Sequence, residues 1–286
     1  MIVDAHQHFW SEPLDRYPWM TEEVDAIRRP FGPKDLAPLL QANEVDRTVV
    51  VQARMDREET YELLELADEN QFVAGVVGWV NLTDANVSEA IRELRAQPGG
   101  TKLVGIRHQV HDEADPNWLL RPDVQRGIAA VGEAGLAYDF LVRARELPAA
   151  YETARRVPQV PMVVDHLAKP PIRGGNQDAW AQGIQRMAEL PNVYCKLSGL
   201  VTEADWTTWQ AQQLRPFVTR VVDWFGADRC LFGSDWPVCL LAASYSQVIA
   251  ALRSCLDRVG PASLDGILGE NARRVYRLPQ RRPATP

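Results

Sequence analysis

The sequence is short of several things, and each shortage excludes a class of protein. It contains four cysteines, Cys195, Cys230, Cys239 and Cys255, with no Cys-x-x-Cys pair. A thiol-based zinc site and a dithiol redox centre are therefore absent, and the cysteines are expected as buried free thiols in a cytoplasmic protein. There is no apolar run of 18 residues or more, so no membrane-spanning helix is expected. The first residues lack the basic and apolar regions of a secretory signal, because charge and histidine interrupt them from Asp4 onward. Basic charge is in deficit: the formal net charge is −7 and the pI about 5.4. That balance argues against nucleic acid or an anionic membrane as partner. No Gly-x-Gly-x-x-Gly follows an apolar run, which speaks against a dinucleotide-binding sheet. No internal repeat and no linker marks a second domain.

What the chain does have is a repeated beat of short apolar runs and amphipathic stretches. Eight runs read as strands: an opening run that ends in His6 and His8, then 46–52, 72–80, 102–107, 136–142, 160–165, 193–197 and 230–233. Helical patterns fall between them, among them 33–43, a segment capped by Asp56, another capped by Asp84, 122–133, 177–190 and a long stretch over 203–225. Short strands alternating with helices argue for parallel βα units, and eight of them in 286 residues fit a closed (β/α)8 TIM barrel. The expected organisation is one barrel domain over 1–278 and a flexible, Pro-rich tail over 279–286. The connection from Phe9 to Gly32 is long and carries Trp10, Tyr17, Trp19 and Phe31, and long loops in compact domains are often functional.

In such a barrel the chemistry sits at the C-terminal ends of the strands. Strand one ends in His6-Gln7-His8, whose imidazoles share a face because side chains alternate. Strand two ends in Gln52, with Arg54 beyond; strand four in Arg107-His108; strand five in Asp139; strand six in Asp165-His166; strand eight in Ser234-Asp235-Trp236. His6, His8, His166 and Asp235 make a set of three imidazoles and a carboxylate suited to one divalent metal, zinc first, with a position open for water. Each histidine taken alone reads better as a hydrogen-bonded polar residue near the core; the three with Asp235 at one end of the barrel favour the metal. Asp4 shares their face and is expected to support them, and His111 reads as a loop residue.

Four segments in this order resemble the amidohydrolase superfamily, in its amidohydrolase family 2 branch and the group of sugar lactonases and dicarboxy-pyrone lactonases. They are His6-Gln7-His8, Val164-Asp165-His166-Leu167-Ala168-Lys169-Pro170, Lys196-Leu197-Ser198-Gly199 and Leu231-Phe232-Gly233-Ser234-Asp235-Trp236-Pro237. The resemblance spans Ile2 to about Leu278. Many superfamily members hold two metals through a modified lysine on strand four and a histidine on strand five. Here Arg107-His108 and Ala137-Tyr138-Asp139-Phe140 stand in those places. The resemblance therefore implies at most one metal, which some members of the branch hold weakly or lack.

The implied activity is hydrolysis of a sugar lactone such as an L-fucono-, L-rhamnono- or L-galactonolactone. Asp235 would act as general base and then acid, with His108 and Arg107 polarising the carbonyl. Trp10, Trp118 and Trp236 would wall the sugar ring, and Gln52, Arg54, Asp139 and Lys196 would meet its polar groups. A pyrone dicarboxylate would demand several convergent arginines, and only Arg54, Arg107 and Arg143 stand near enough to serve. A metal-dependent decarboxylase of the same branch and a barrel that only binds its ligand are the other readings. The partner expected is a small lactone, and the sequence leaves room for a homo-oligomer.

Overall fold

The structure, a computed structural model, describes residues 1–12 and 14–279. Apart from Pro279, the expected tail lies outside the described residues.

Eight strands run in sequence order around one parallel sheet: β1 Val3–Gln7, β2 Arg47–Val51, β3 Val73–Gly78, β4 Leu103–His108, β5 Ala137–Phe140, β6 Met162–Val164, β7 Val193–Leu197 and β8 Cys230–Phe232. All seven ladders between successive strands are parallel. β8 returns to β1 through individual bonds: His8 N donates to Trp236 O at 2.7 Å and Asp235 N to His6 O at 2.8 Å. These contacts close the (β/α)8 barrel that the alternating pattern predicts.

The helices between strands are α1 Pro33–Ala42, α2 Arg57–Glu69, α3 Val87–Arg95, α4 Pro122–Glu133, α5 Leu147–Arg156, α6 Asp178–Ala188, the short α7 Leu200–Glu203 with α8 Ala211–Phe225, and α9 Tyr245–Cys255. Asp56 caps α2 by accepting Glu59 N–H at 2.8 Å, as its sequence position suggests. Asp84 does not cap α3. Its carboxylate accepts Asn86 N–H in a turn, and the helix starts at Val87. The long helix expected over 203–225 is divided, because Asp205 accepts the N–H groups of Thr207 and Thr208 at 3.0 Å and offers the backbone a turn instead. The four cysteines are free and buried.

Two apolar layers result. One lies between sheet and helices. The other fills the barrel, where Val3, Ala5, Val49, Val51, Val77 and Val163 meet Ala272, Val275, Tyr276 and Leu278. After the exposed α10 Pro261–Asp265, the C-terminal segment from α11 Asn271–Val275 to Leu278 thus plugs the barrel. Among the described residues no helix is long and apolar enough to cross a membrane.

Candidate active site

His6 and His8 leave β1 together, held by Asp4 and by the Val51 carbonyl. Asp4 accepts His6 N–H at 3.1 Å and Ser234 N–H at 2.8 Å, and Tyr245 Oη donates to it at 3.0 Å. Asp4 therefore ties β1 to the turn that carries Asp235; burial pushes its own carboxyl up to about 6. His8 Nδ1 donates to Val51 O at 2.7 Å, which leaves Nε2 with a lone pair directed at the site. His166 Nδ1 shares a hydrogen bond with Ser198 Oγ at 2.9 Å.

Backbone geometry marks both other arms of the cluster. His166, Leu167, Ala168 and Lys169 have φ of 53°, 52°, 56° and 53°, and Asp235 has φ of 58°. Left-handed backbone costs a residue with a side chain about 1 kcal/mol or more. Part of that cost is offset locally: Lys169 N donates to His166 O at 2.7 Å, and Trp180 Nε1 to Leu167 O at 2.7 Å. Opposite the turn stands Gly199, where a Cβ would lie 2.5 Å from His166 Nδ1; only glycine leaves room for the ring.

The four groups converge. His6 Nε2 and His8 Nε2 are 3.2 Å apart. Asp235 Oδ1 lies 3.4 Å from His8 Nε2 and 3.8 Å from Nε2 of both His6 and His166. Tetrahedral ligands at bonds of about 2.0 Å sit about 3.3 Å from one another. His6, His8 and Asp235 lie close enough together to hold one divalent ion, with His166 Nε2 3.8 Å from Asp235 Oδ1, and each histidine has a partner on its second nitrogen, as metal-binding imidazoles require. Burial holds the pKa values of His6 and His166 well below the ordinary imidazole value, so both rings are neutral. Burial also pushes the Asp235 carboxyl up, but His166 and His8 outweigh it and keep the group below the usual carboxylate value.

Beneath the histidines lies a fully buried polar layer. Lys196 Nζ donates to Asp139 Oδ2 at 2.6 Å and lies 3.0 Å from Asp165 Oδ1 and 3.2 Å from His6 Nδ1. Arg107 donates from Nη1 to Asp165 Oδ2 at 3.0 Å and from Nη2 to Gln52 Oε1 at 3.0 Å. Lys196, His6 and Arg107 together overcome the burial of Asp165 and hold its carboxyl well below the usual value.

Above them opens a cavity of about 470 Å³. His8, His166, Asp235 and Arg107 form its floor. Its walls include Trp19, Trp206, His111, Asp112, Lys169 and Glu203, with Arg143 at the exposed rim.

The structure thus brings His6, His8, His166, Asp235 and Arg107 together and places other candidates elsewhere. His108 is bonded on both nitrogens, to Glu113 at 2.7 Å and by Trp79 Nε1 at 3.1 Å, and lies outside the cavity lining. Trp118 stacks on the far side of that ring, centroids 4.1 Å apart. Trp236 packs on Phe9 and Phe31 in the core. Trp10, bonded to Arg29 O, lines a separate cavity. Arg54 is engaged by Asp56 and Glu62 beside a third. Gln52, Asp139 and Lys196 belong to the buried layer and touch no open space.

Trp19, Trp206, Lys169, Glu203, His111 and Asp112 take the wall positions instead. They come from connections beyond the strand ends, Glu203 from the short α7, which strand-end reasoning does not reach. Two carried a signal: Trp19, in the long aromatic connection over 9–32, and Lys169, three residues after His166 in the segment Val164–Pro170.

Comparison with known proteins agrees with this geometry. Residues 3–278 match the amidohydrolase family profile. An L-fucono-1,5-lactonase of Burkholderia ambifaria is 43% identical over 280 residues, covering 96% of this chain and 95% of that one. An L-fucono-1,5-lactonase of Burkholderia multivorans is 39% identical over 289 residues, covering 97% and 96%. The crystal structure of an amidohydrolase from Burkholderia multivorans with bound zinc superposes with a TM-score of 0.93 at 37% identity, covering 98% of this chain and 100% of that chain.

Proposed function

The chain belongs to the amidohydrolase family, and on that premise we propose that it hydrolyses a sugar lactone of the L-fucono-1,5-lactone type to the aldonic acid. The observation that carries the proposal is Asp235, a buried carboxylate held below the usual carboxylate value beside His166 and His8 at the floor of a polar, sugar-sized cavity.

His6, His8, His166 and Asp235 would hold one divalent cation, zinc by the chemistry of the donors. When bound, that ion supplies Lewis acidity, acidifying water and drawing charge from the lactone carbonyl. The remaining work falls to the chain. Asp235 accepts a proton from the attacking water and returns it to the ring oxygen as the C–O bond breaks. Arg107 keeps fixed positive charge at the floor, where the carbonyl oxygen gains negative charge; its Nε has no partner within the protein. Trp19 and Trp206 offer flat apolar faces for the sugar ring.

The wall favours a neutral polyol over a dicarboxylate. Arg107 is tied to Asp165 and Lys169 to Glu203 at 2.7 Å, so two of the lining cations already face an acid, and His111 Nε2 lies 3.2 Å from Asp112 Oδ1. Paired donors and acceptors suit hydroxyls, whereas two carboxylates need unpaired cations.

A panel of aldonolactones assayed by proton release, with a pyrone dicarboxylate and a dihydroxybenzoate as controls, tests the proposal. Turnover of a sugar lactone is expected. Turnover of a control and of no sugar lactone would refute it.

A further inference from the structure

His108 ends β4 with its ring outside the cavity, and its bonds admit one arrangement. Trp79 Nε1 lies 3.1 Å from His108 Nδ1, and an indole nitrogen only donates, so Nδ1 accepts. The hydrogen of the neutral ring is then on Nε2, which donates it to Glu113 Oε1 at 2.7 Å. Burial lowers the pKa of the ring, in keeping with the neutral form that this pattern requires. Trp118 covers one face, 11° from parallel with centroids 4.1 Å apart. A ring bonded at both nitrogens and stacked on an indole has no group left for a substrate. What it does hold is Glu113.

Between His108 and Glu113 the chain makes one short helical turn, Val110–Asp112, in which Asp112 N donates to Gln109 O and Glu113 N to Val110 O, both at 3.0 Å. A single turn of this kind is weak by itself, and the bond from His108 to Glu113 spans it from end to end. Gln109, His111 and Asp112, all within that span, line the cavity. The turn is also bonded to two other wall segments. Arg145 Nη2 donates to Glu113 O at 2.6 Å and His111 N to Leu141 O at 3.1 Å, which joins it to the connection after β5, where Leu141 and Arg143 line the cavity. Gln109 Nε2 donates to Ala53 O at 3.2 Å, the same oxygen that takes Trp19 Nε1 at 2.7 Å. One side chain outside the cavity thus secures a turn on which three stretches of its wall meet.

We propose that His108 is a positioning residue for substrate binding: through Glu113 it holds Gln109, His111 and Asp112 in the cavity wall, and it takes no part in the bond-breaking step. Its effect on kinetics rests on the lactonase reading above; the ordering of the turn does not.

Glu113→Ala breaks the span at a half-buried position and leaves the barrel core untouched. On the best sugar lactone of the panel, KM should rise about 10-fold, the scale of one charged hydrogen bond, with kcat within about twofold of wild type. Glu113→Gln keeps an acceptor oxygen for His108 Nε2 and should recover most of that loss. His108→Phe keeps a ring against Trp118, removes both bonds and should match Glu113→Ala. Amide hydrogen exchange of residues 110–113, measured without substrate, should speed up about 10-fold or more in Glu113→Ala and stay near wild type in Glu113→Gln. An unchanged KM in Glu113→Ala, a loss of kcat larger than the rise in KM in either His108→Phe or Glu113→Ala, or exchange no faster than in wild type overturns the proposal. If His108→Phe does not fold, the two Glu113 variants decide. If no lactone is turned over, the lactonase reading fails and the exchange rates still decide whether His108 holds the turn.

Discussion

The backbone N–H of Asp235 donates to the carbonyl of His6 at 2.8 Å, so the bond that closes the barrel also joins the proposed base to a candidate metal ligand. Fold and site are therefore one construction at this seam. Gly233 extends the point: a Cβ there would lie 2.7 Å from His6 Cβ, so β8 comes close enough to β1 only because that position is bare.

Gly199→Ala should disturb the site through the backbone. The new methyl meets His166 Nδ1 at 2.5 Å on a residue whose φ is 63°. Left-handed strain and overpacking together should cost roughly 2–4 kcal/mol. Urea unfolding should show that loss together with reduced zinc binding. Stability and affinity equal to those of wild type would mean that the 199 turn does not position His166.

Glu203→Gln should change what the cavity accepts. Lys169 Nζ then loses its charged partner and becomes a free cation in the wall. KM for a neutral sugar lactone should rise about 10-fold, the scale of one charged hydrogen bond. KM for a lactone carrying a carboxylate should fall. Steady-state kinetics on both substrates checks this, and parallel changes in the two KM values would count against the pair as a selector.

Stability should decline from mildly acidic to mildly alkaline pH, in part because of Glu59. Burial raises its carboxyl from 4.5 to about 8, against hydrogen bonds from Ala53 N and Arg54 N. The native state therefore holds a proton that the unfolded chain releases between those values. The associated stability is full below about pH 4.5 and is lost as pH rises through about 8. The slope in that window is at most about 1.4 kcal/mol per pH unit. Urea midpoints from pH 5 to 8 should fall less steeply in Glu59→Gln; identical slopes would remove Glu59 as the source.

The barrel and the clustering of the candidate metal ligands were legible in the sequence for the same reason. Strand periodicity places His6, His8, His166 and Asp235 at strand ends, and strand ends in a closed barrel share one mouth. The wall was less legible. Trp19 and Trp206 differ from Trp10, Trp118 and Trp236 only in which loop or core contact each finds, and composition does not carry that. Lys196 and Asp139 face inward as periodicity requires, but their depth depends on the plug formed by Tyr276, far along the chain. His108 follows Arg107 directly and so points to the other side of β4, where Trp118 and Glu113 take it up.

The central claim is that Asp235 performs proton transfer for lactone opening. It is tested most directly by kcat for Asp235→Asn on the best sugar lactone of the panel, with the thermal midpoint measured alongside. Asp235→Asn should lower kcat about 10²–10⁴-fold, the range of general acid–base catalysis, in a protein that still folds. A folded Asp235→Asn variant turning over the lactone at near wild-type kcat would contradict it.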